Sequence, residues 1–442
     1  MRARLLLVLL LALVPLGARA ALVLSADIHG AITPASAAYF QRAIEQARAQ
    51  QAELLVLRLD TPGGLDTAMR AMIQAMLASE VPVAVYVAPG GARAASAGTY
   101  LMYASHIAAM APGTNLGAAT PVAIGPGAGD ENKDSDKDKA GASDADTMKS
   151  KMVHDATAYL RSLAQLRGRN VEWAERAVRG SESLSADDAL ALRVIDLVAA
   201  DLEELLRRID GRAVTAAGHE RRLALGGARV EPIEPTWQEQ LLGTIADPNV
   251  ALLLVMIGIY GLIFEFYTPG LYGPGVTGGI CLLLGMYGLA MLPLNVAGVA
   301  LVLLGIALMI AEAFLPTFGA IGVGGVIAFV IGALMLVDTE VPDLRVSWQW
   351  LAPIAVASAL GLGALGTFAL RARARPPRHG SAALLGVRVR ALEDIGAEGW
   401  VEVSGERWRA RSAGPIPHGG YARVTAVNGL LLSVQPEQEN RT

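Results

Sequence analysis

The sequence predicts three kinds of structure in succession: an α/β domain with a largely parallel sheet, an α-helical region of several membrane spans, and a small all-β barrel. Three observations carry this. Apolar strand-like runs alternate with amphipathic helices from about residue 22 to 230. Apolar runs of membrane length follow between 248 and 370. The stretch from 382 to 437 alternates apolar and polar residues around tight turns. The chain is 53% hydrophobic but only 5% aromatic, so the excess is Ala, Leu, Val and Gly. That mixture suits helices packed closely in a bilayer.

The first twenty residues, MRARLLLVLLLALVPLGARA, place two arginines before an apolar run and end in Ala18-Arg19-Ala20. This is the layout of a secretory signal peptide (1–20), with an uncleaved membrane anchor as the alternative, and either way the domain after it is expected to be exported. In the α/β region, ALVLSADI, LLVLRLD and VPVAVYVA read as strands, and AAYFQRAIEQARAQ between the first two has helical spacing. Strand and helix in alternation predict a parallel sheet over 21–230. Near its end SLSADDALALRVIDLVAADLEELLRRI predicts two helices around a short strand, the first opened by Ser185 with Asp188 three residues on. Residues 123–150 are rich in Gly, Asp and Lys without apolar periodicity. They predict a mobile surface insert.

The membrane region (248–370) reads as five runs: 248–267, 275–293, 296–315, 318–337 and 349–370. Each matches a hydrocarbon core of about 30 Å. Only LPTFG separates the third from the fourth, which leaves four spans or a re-entrant segment as the alternatives there. Glu265 and Glu312 fall near run ends, where an interfacial place is expected rather than a transport path. The last run leads into RARARPPRH, which belongs in the cytoplasm by the positive-inside rule. An exported first domain and five spans put the C-terminus inside. The barrel (382–437) has SGE and NG as turns, and residues 382–442 hold seven arginines and seven acidic residues. That balance and a net charge of −4 argue against nucleic acid and favour a protein partner for an OB-like barrel. The single cysteine, Cys281, permits no disulfide framework within one chain.

Chemistry centres on GARAASAGTYLMYASH, residues 91–106. Ser96 stands among small residues at the head of a helix, where a nucleophile could be presented. A serine needs a base. His106 would lie at the far end of the same helix, and His29, His154 and His219 sit in no distinctive motif. Lysine is the other choice, since a lysine of ordinary pKa about 10.4 becomes a base when burial lowers it by roughly three units. Lys149 and Lys151 open KSKMVHDATAYLRSLAQL, whose Met152, Ala156, Tyr159 and Leu160 would face the domain. An oxyanion hole needs backbone donors. DTPGGLD offers Gly63 and Gly64 between a strand and a helix, and Ala97 offers a further N–H. An extended substrate would place its side chains against Leu65 and Met102.

Taken together, LRLDTPGGLDTAMR, APGGARAASAGTYLMYASH and APGTNLGAATPV resemble the ClpP/crotonase-fold serine proteases. They are most similar to the membrane-bound proteases of the nodulation formation efficiency D (NfeD) family, the stomatin operon partner proteins. The resemblance covers nearly the whole chain. It implies a Ser-Lys dyad in which Ser96 is the nucleophile and Lys151, rather than Lys149, is the base. It implies cleavage of apolar segments of a stomatin/prohibitin-like membrane protein outside the cytoplasm, with no cofactor and no metal. It further implies a multi-pass protein of the inner cell membrane that forms a homo-oligomer, dimer or higher. The competing expectation is a non-enzymatic scaffold for stomatin-like proteins, and the Ser96/Lys151 pair separates the two.

Overall fold

The computed structural model describes residues 21–121, 144–267, 270, 272–315, 317, 319–337, 344–374 and 384–437. The predicted signal peptide and residues 123–143 of the predicted insert lie outside the described residues. The chain forms two compact units, one of residues 1–311 with 321–359 and one of 312–320 with 360–442.

In the first unit a six-stranded parallel sheet runs in the order β11-β1-β2-β3-β5-β8. Its strands are β1 (Leu22–His29), β2 (Leu54–Asp60), β3 (Val83–Val87), β5 (Ile107–Met110), β8 (Leu197–Val198) and β11 (Arg229–Pro232). β2 and β3 read as nearly unbroken apolar runs because both of their faces are covered. One face carries α1 (Pro34–Ala49), α2 (Asp66–Ala78), α3 (Ala97–Ala104), α4 (Asp144–Arg167) and α5 (Val171–Arg179) over a core of Phe40, Met72, Tyr103 and Trp173. The other face carries α7 (Leu202–Ile209) and the hairpin of β9 (Ala213–Ala216) and β10 (His219–Arg222). A second, three-stranded sheet of β4 (Arg93–Ala95), β6 (Asn115–Gly117) and β7 (Ser183–Ser185) leads into α6 (Ala186–Ala191). Ser185 caps α6 as its sequence suggests, accepting from the Asp188 N–H, although its hydroxyl then donates to the Asp188 carboxyl.

α4 begins at Asp144, so residues 144–150 of the expected surface insert are helical instead. Lys149 and Lys151 therefore sit on formed turns rather than opening the helix. β11 and α8 (Trp237–Ile245) tie this domain to the helices beyond it. Tyr39 OH donates to Ile233 O at 2.6 Å, and Arg42 makes a bidentate pair with Glu239, both contacts at 2.7 Å. The geometry is a planar fork meeting a carboxyl in parallel.

Residues 248–374 fold into α9 (Pro248–Tyr267), α10 (Gly273–Ala290), α11 (Val296–Phe314), α12 (Ala320–Leu334) and α13 (Trp348–Ala374). Among the described residues α9 and α10 are long and apolar enough to cross a membrane. In the second unit β12 (Arg388–Ala391), β13 (Glu398–Val403), β14 (Glu406–Ser412), β15 (Tyr421–Asn428) and β16 (Leu431–Pro436) close into a barrel in the order β12-β13-β14-β16-β15. Inward residues such as Val401, Val403, Ala410, Leu432 and Val434 fill it, as the alternation predicts.

Candidate active site

Ser96 occupies a sharp junction between β4 and α3, with φ 51° and ψ −113°. For a residue with a Cβ this backbone costs about 1–3 kcal/mol and persists only when its surroundings hold it. The holding groups are identifiable. Ser96 N–H donates to Gly117 O at 2.9 Å, and Thr99 N–H donates to Ser96 O at 2.9 Å. The buried Thr99 hydroxyl lies 2.9 Å from both the Ala94 and Gly117 carbonyls and accepts from the Gly117 N–H at 3.1 Å. At the other end of α3, the buried Arg169 guanidinium donates to Met102 O, Tyr103 O and Ser105 O. Cations satisfy the orphan carbonyls of a helix end in this way. Burial opposes the charge on Asp196, but Arg169 and the Ala108 N–H hold its carboxyl below the usual range.

The TPGG segment after β2 closes against the serine. A Cβ on Gly63 would lie 2.8 Å from Ser96 Cβ and 3.3 Å from Ser96 Oγ, so glycine is required for this approach. Thr61 shapes the turn: its Oγ1 accepts from the Gly63 N–H at 3.0 Å and donates to Gly63 O at 2.9 Å. Gly63 N–H is therefore spent. Ile32 N–H donates to Gly63 O, and Leu65 N–H donates to Ile32 O, which makes a parallel bridge between Ile32 and Gly64. In such a bridge the N–H of Gly64 itself points away from Ile32. Ala97, first in α3, has an N–H that no helical carbonyl reaches. Among the described residues neither donor has a backbone partner.

α4 carries the candidate lysine and docks on the helices adjoining both site segments. Tyr159 stacks on Tyr100 of α3 with ring centroids 6.1 Å apart. Arg70 of α2 lies 4.5 Å over the Tyr159 ring and pairs with both Asp66 and Asp155 at 2.8 Å. Burial raises the Tyr100 hydroxyl well above its usual pKa, so it stays protonated and donates to Ala119 O. Lys151 lies one turn before Asp155 and is exposed, with no hydrogen bond or ion pair among the described residues. Ala156 and Leu160 are buried as expected, but the lysine itself is not. The structure thus brings Ser96, Gly63, Gly64 and Ala97 together and leaves Lys151 unburied in the single chain.

Two sequence readings change, that of Gly63 as an oxyanion donor, since its N–H is bonded to Thr61, and that of Met102 as a pocket residue. Met102 is fully buried in the core and cannot line a substrate pocket, whereas Leu65 is half-buried. His106 is buried, and its Nδ1 accepts from the Val83 N–H at 3.1 Å. Burial and the nearby Arg167 and Arg169 push its pKa down to about 3. It is a structural histidine. Sequence reasoning does not single out Thr61, Thr99 or Gly117. The available signal is Thr99 standing three residues beyond the serine, on the same helical turn.

Comparison with known proteins places these features in a family. Residues 22–215 match the model of the NfeD1b N-terminal domain, 249–371 the NfeD integral membrane domain, and 381–436 the NfeD-like C-terminal, partner-binding domain. The membrane-bound protease PH1510 of Pyrococcus horikoshii is 36% identical over 428 residues, covering 94% of this chain and 93% of that protein. The membrane protein NfeD1b of Bacillus subtilis is 29% identical over 300 residues, covering 66% and 62%. Solved structures of the N-terminal part of a membrane-bound stomatin-specific protease also match. One, a lysine-to-alanine variant with a substrate peptide, is 34% identical with a TM-score of 0.45, covering 51% of this chain and 97% of that one. Another, a serine-to-alanine variant, is 35% identical with a TM-score of 0.43, covering 49% and 99%. With a relative this similar across nearly its whole length and NfeD models matched one after another along it, the chain belongs to the NfeD family of membrane proteins.

Proposed function

We propose that the chain is an integral-membrane serine endopeptidase that cleaves apolar segments of stomatin-like membrane proteins outside the cytoplasm. The observation that carries this reading is Ser96, held at a strained strand-to-helix junction against Gly63 and beside two unspent backbone donors. In the reaction Ser96 Oγ bonds to the carbonyl carbon of the scissile peptide and its proton passes to Lys151 Nζ. The carbonyl oxygen, now negative, takes the N–H groups of Gly64 and Ala97. Gly63 supplies room rather than a donor, since its N–H belongs to Thr61. Collapse breaks the C–N bond, Lys151 returns the proton to the leaving amine, and water then hydrolyses the acyl-enzyme.

An exposed Lys151 needs covering, so the reading includes a homo-oligomer in which a second protomer buries the start of α4. The stomatin-like substrate follows from the family resemblance of the TPGG and ASAG motifs. The leader-like N-terminus and the arginines at 371–378 support five spans of the inner membrane, with the protease domain outside and the barrel in the cytoplasm. The test is hydrolysis of an apolar peptide by the full-length protein in detergent. Ser96→Ala and Lys151→Ala should each lose at least about a thousandfold in rate with the fold intact, and Lys149→Ala should stay near wild type. Full cleavage by Ser96→Ala would leave the scaffold reading in its place.

A further inference from the structure

The membrane region repeats itself. A shift of 47 residues lays Gly258, Glu265, Pro269, Gly275, Gly278 and Gly285 on Gly305, Glu312, Pro316, Gly322, Gly325 and Gly332. The packing repeats with the letters. A Cβ on Gly258 would meet Leu282 N at 2.7 Å, and one on Gly305 would meet Phe329 N, the shifted counterpart, at 2.5 Å. Gly278 approaches Gly258 O and Leu262 N, while Gly325 approaches Gly305 O and Met309 N. Gly285 abuts Ala251 O and Val255 N, while Gly332 abuts Gly298 O and Val302 N. Every one of these partners obeys the same shift. α9–α10 and α11–α12 are therefore two copies of one helical hairpin.

The turns repeat a device as well. Glu265 reaches over the end of its own helix and accepts from Tyr272 N–H at 3.1 Å and Gly275 N–H at 3.3 Å. Glu312 accepts from Thr317 N–H at 3.0 Å, from Gly319 N–H at 3.0 Å and from the Thr317 hydroxyl at 2.7 Å. Gly319 is the shifted counterpart of Tyr272. A turn in water has no need of this, because water satisfies its donors. A turn in a bilayer must find its acceptors inside the protein. Around the first turn Phe266 is 83% exposed and Tyr272 76%, and beside the second Leu315 is 61% exposed. Exposed aromatic and apolar groups beside polar backbone are suited to the layer between headgroups and acyl chains.

We propose that both turns rest in that layer of the bilayer, and that Glu265 and Glu312 are paired internal acceptors that let them do so without water. The surface recognised is a lipid interface, and the claim is independent of the protease reading. It is tested with the full chain in lipid vesicles, carrying Cys281→Ala and one spin-labelled cysteine at a time: Phe266→Cys, Leu315→Cys, or Ser404→Cys in the barrel turn as a water reference. Collisions with oxygen and with a water-soluble nickel chelate report depth. Both turn labels should favour oxygen over nickel at least severalfold more than the Ser404 label. Glu265→Leu should raise nickel access severalfold at the first turn alone, and Glu312→Leu at the second alone. Either turn label as open to nickel as Ser404 would overturn the proposal. So would lipid-like labels that ignore the glutamate variants. If the leucine variants fail to fold, the depths in the unsubstituted turns still decide it.

Discussion

Around Ser96, glycine supplies backbone shape. Gly63 has φ 125° and Gly117 φ 141°, and each stands where a neighbouring backbone or side chain presses in. Along α9 and α10 the glycines lie within regular helix, and what matters is the atom they lack: Gly258 and Gly278 let two helix backbones come within 3 Å of where a Cβ would stand. The first use costs chain entropy to hold Ser96 at its strand-to-helix junction. The second brings backbones together where no hydrophobic force distinguishes helix from lipid, so dispersion contacts must hold them. The same residue thus answers a conformational demand in the α/β domain and a volumetric one in the membrane helices.

Substitutions can separate the two. The largest effect is expected at Gly64, whose Cβ would stand 2.2 Å from Ile32 O. Gly64→Ala must shift the loop that carries the proposed oxyanion donor, and peptide hydrolysis should fall by about a hundredfold or more, while membrane insertion, read by fractionation, is unchanged. In the hairpin, Gly278→Val should force α9 from α10 and cost about 1–3 kcal/mol or more. Thermal unfolding in detergent should register this, with hydrolysis of a soluble peptide kept within about twofold. A Gly278→Val protein that lost hydrolysis as completely as Gly64→Ala would erase the distinction.

Smaller effects sharpen it. Thr99→Val removes the hydroxyl that knits Ala94, Gly117 and the serine turn together. The expected result is a kcat lowered by about tenfold with KM unchanged, since orientation rather than binding is lost. His106 provides the mildest test. Its folded pKa of about 3 lies below the value of about 6.5 for an unfolded histidine. The unfolded chain therefore binds more protons between those values, and this contribution to stability is complete above pH about 6.5 and is lost as pH falls toward 3. His106→Gln should keep its activity at neutral pH and lose less stability than wild type on acidification from pH 6.5, as followed by denaturant titration.

Much of this architecture is legible in the residues. LLVLRLD and VPVAVYVA read as strands of a parallel sheet, the apolar runs mark the helices, and the turns Ser404-Gly405 and Asn428-Gly429 mark the β13–β14 and β15–β16 hairpins. TPGG and ASAG point to one another without any geometry, and Gly63 does lie against Ser96. Other features depend on contacts between distant segments, which local pattern does not encode. The positive φ of Ser96 follows from Gly117 and Thr99. The burial of Met102 follows from helices packed on both sides of it. The exposure of Lys151 is likewise a tertiary fact: it lies one turn before Asp155, the residue that pairs with Arg70, and is itself left uncovered. The glycine crossings need both partner helices in view.

The repeated hairpin also bears on how the chain assembles. A polypeptide that carries one crossing surface twice offers α9 two acceptable mates, α10 and α12, and only one is native. The glycine crossings at Gly258, Gly278 and Gly285 recur in the second hairpin and do not by themselves reject the wrong mate, although Leu308 and Met335 stand at the shifted positions of Gly261 and Gly288. Distance along the chain does. α9 ends at Tyr267 and α10 begins at Gly273, whereas α12 begins only at Ala320. The shorter loop closes at lower entropic cost, by roughly 0.6 kcal/mol for each halving of length, and α10 leaves the ribosome before α12 exists. Order of synthesis therefore favours the native pair at the crossings the two hairpins share. A circularly permuted chain, in which α12 emerged before α10, would have to find its partners without that guide.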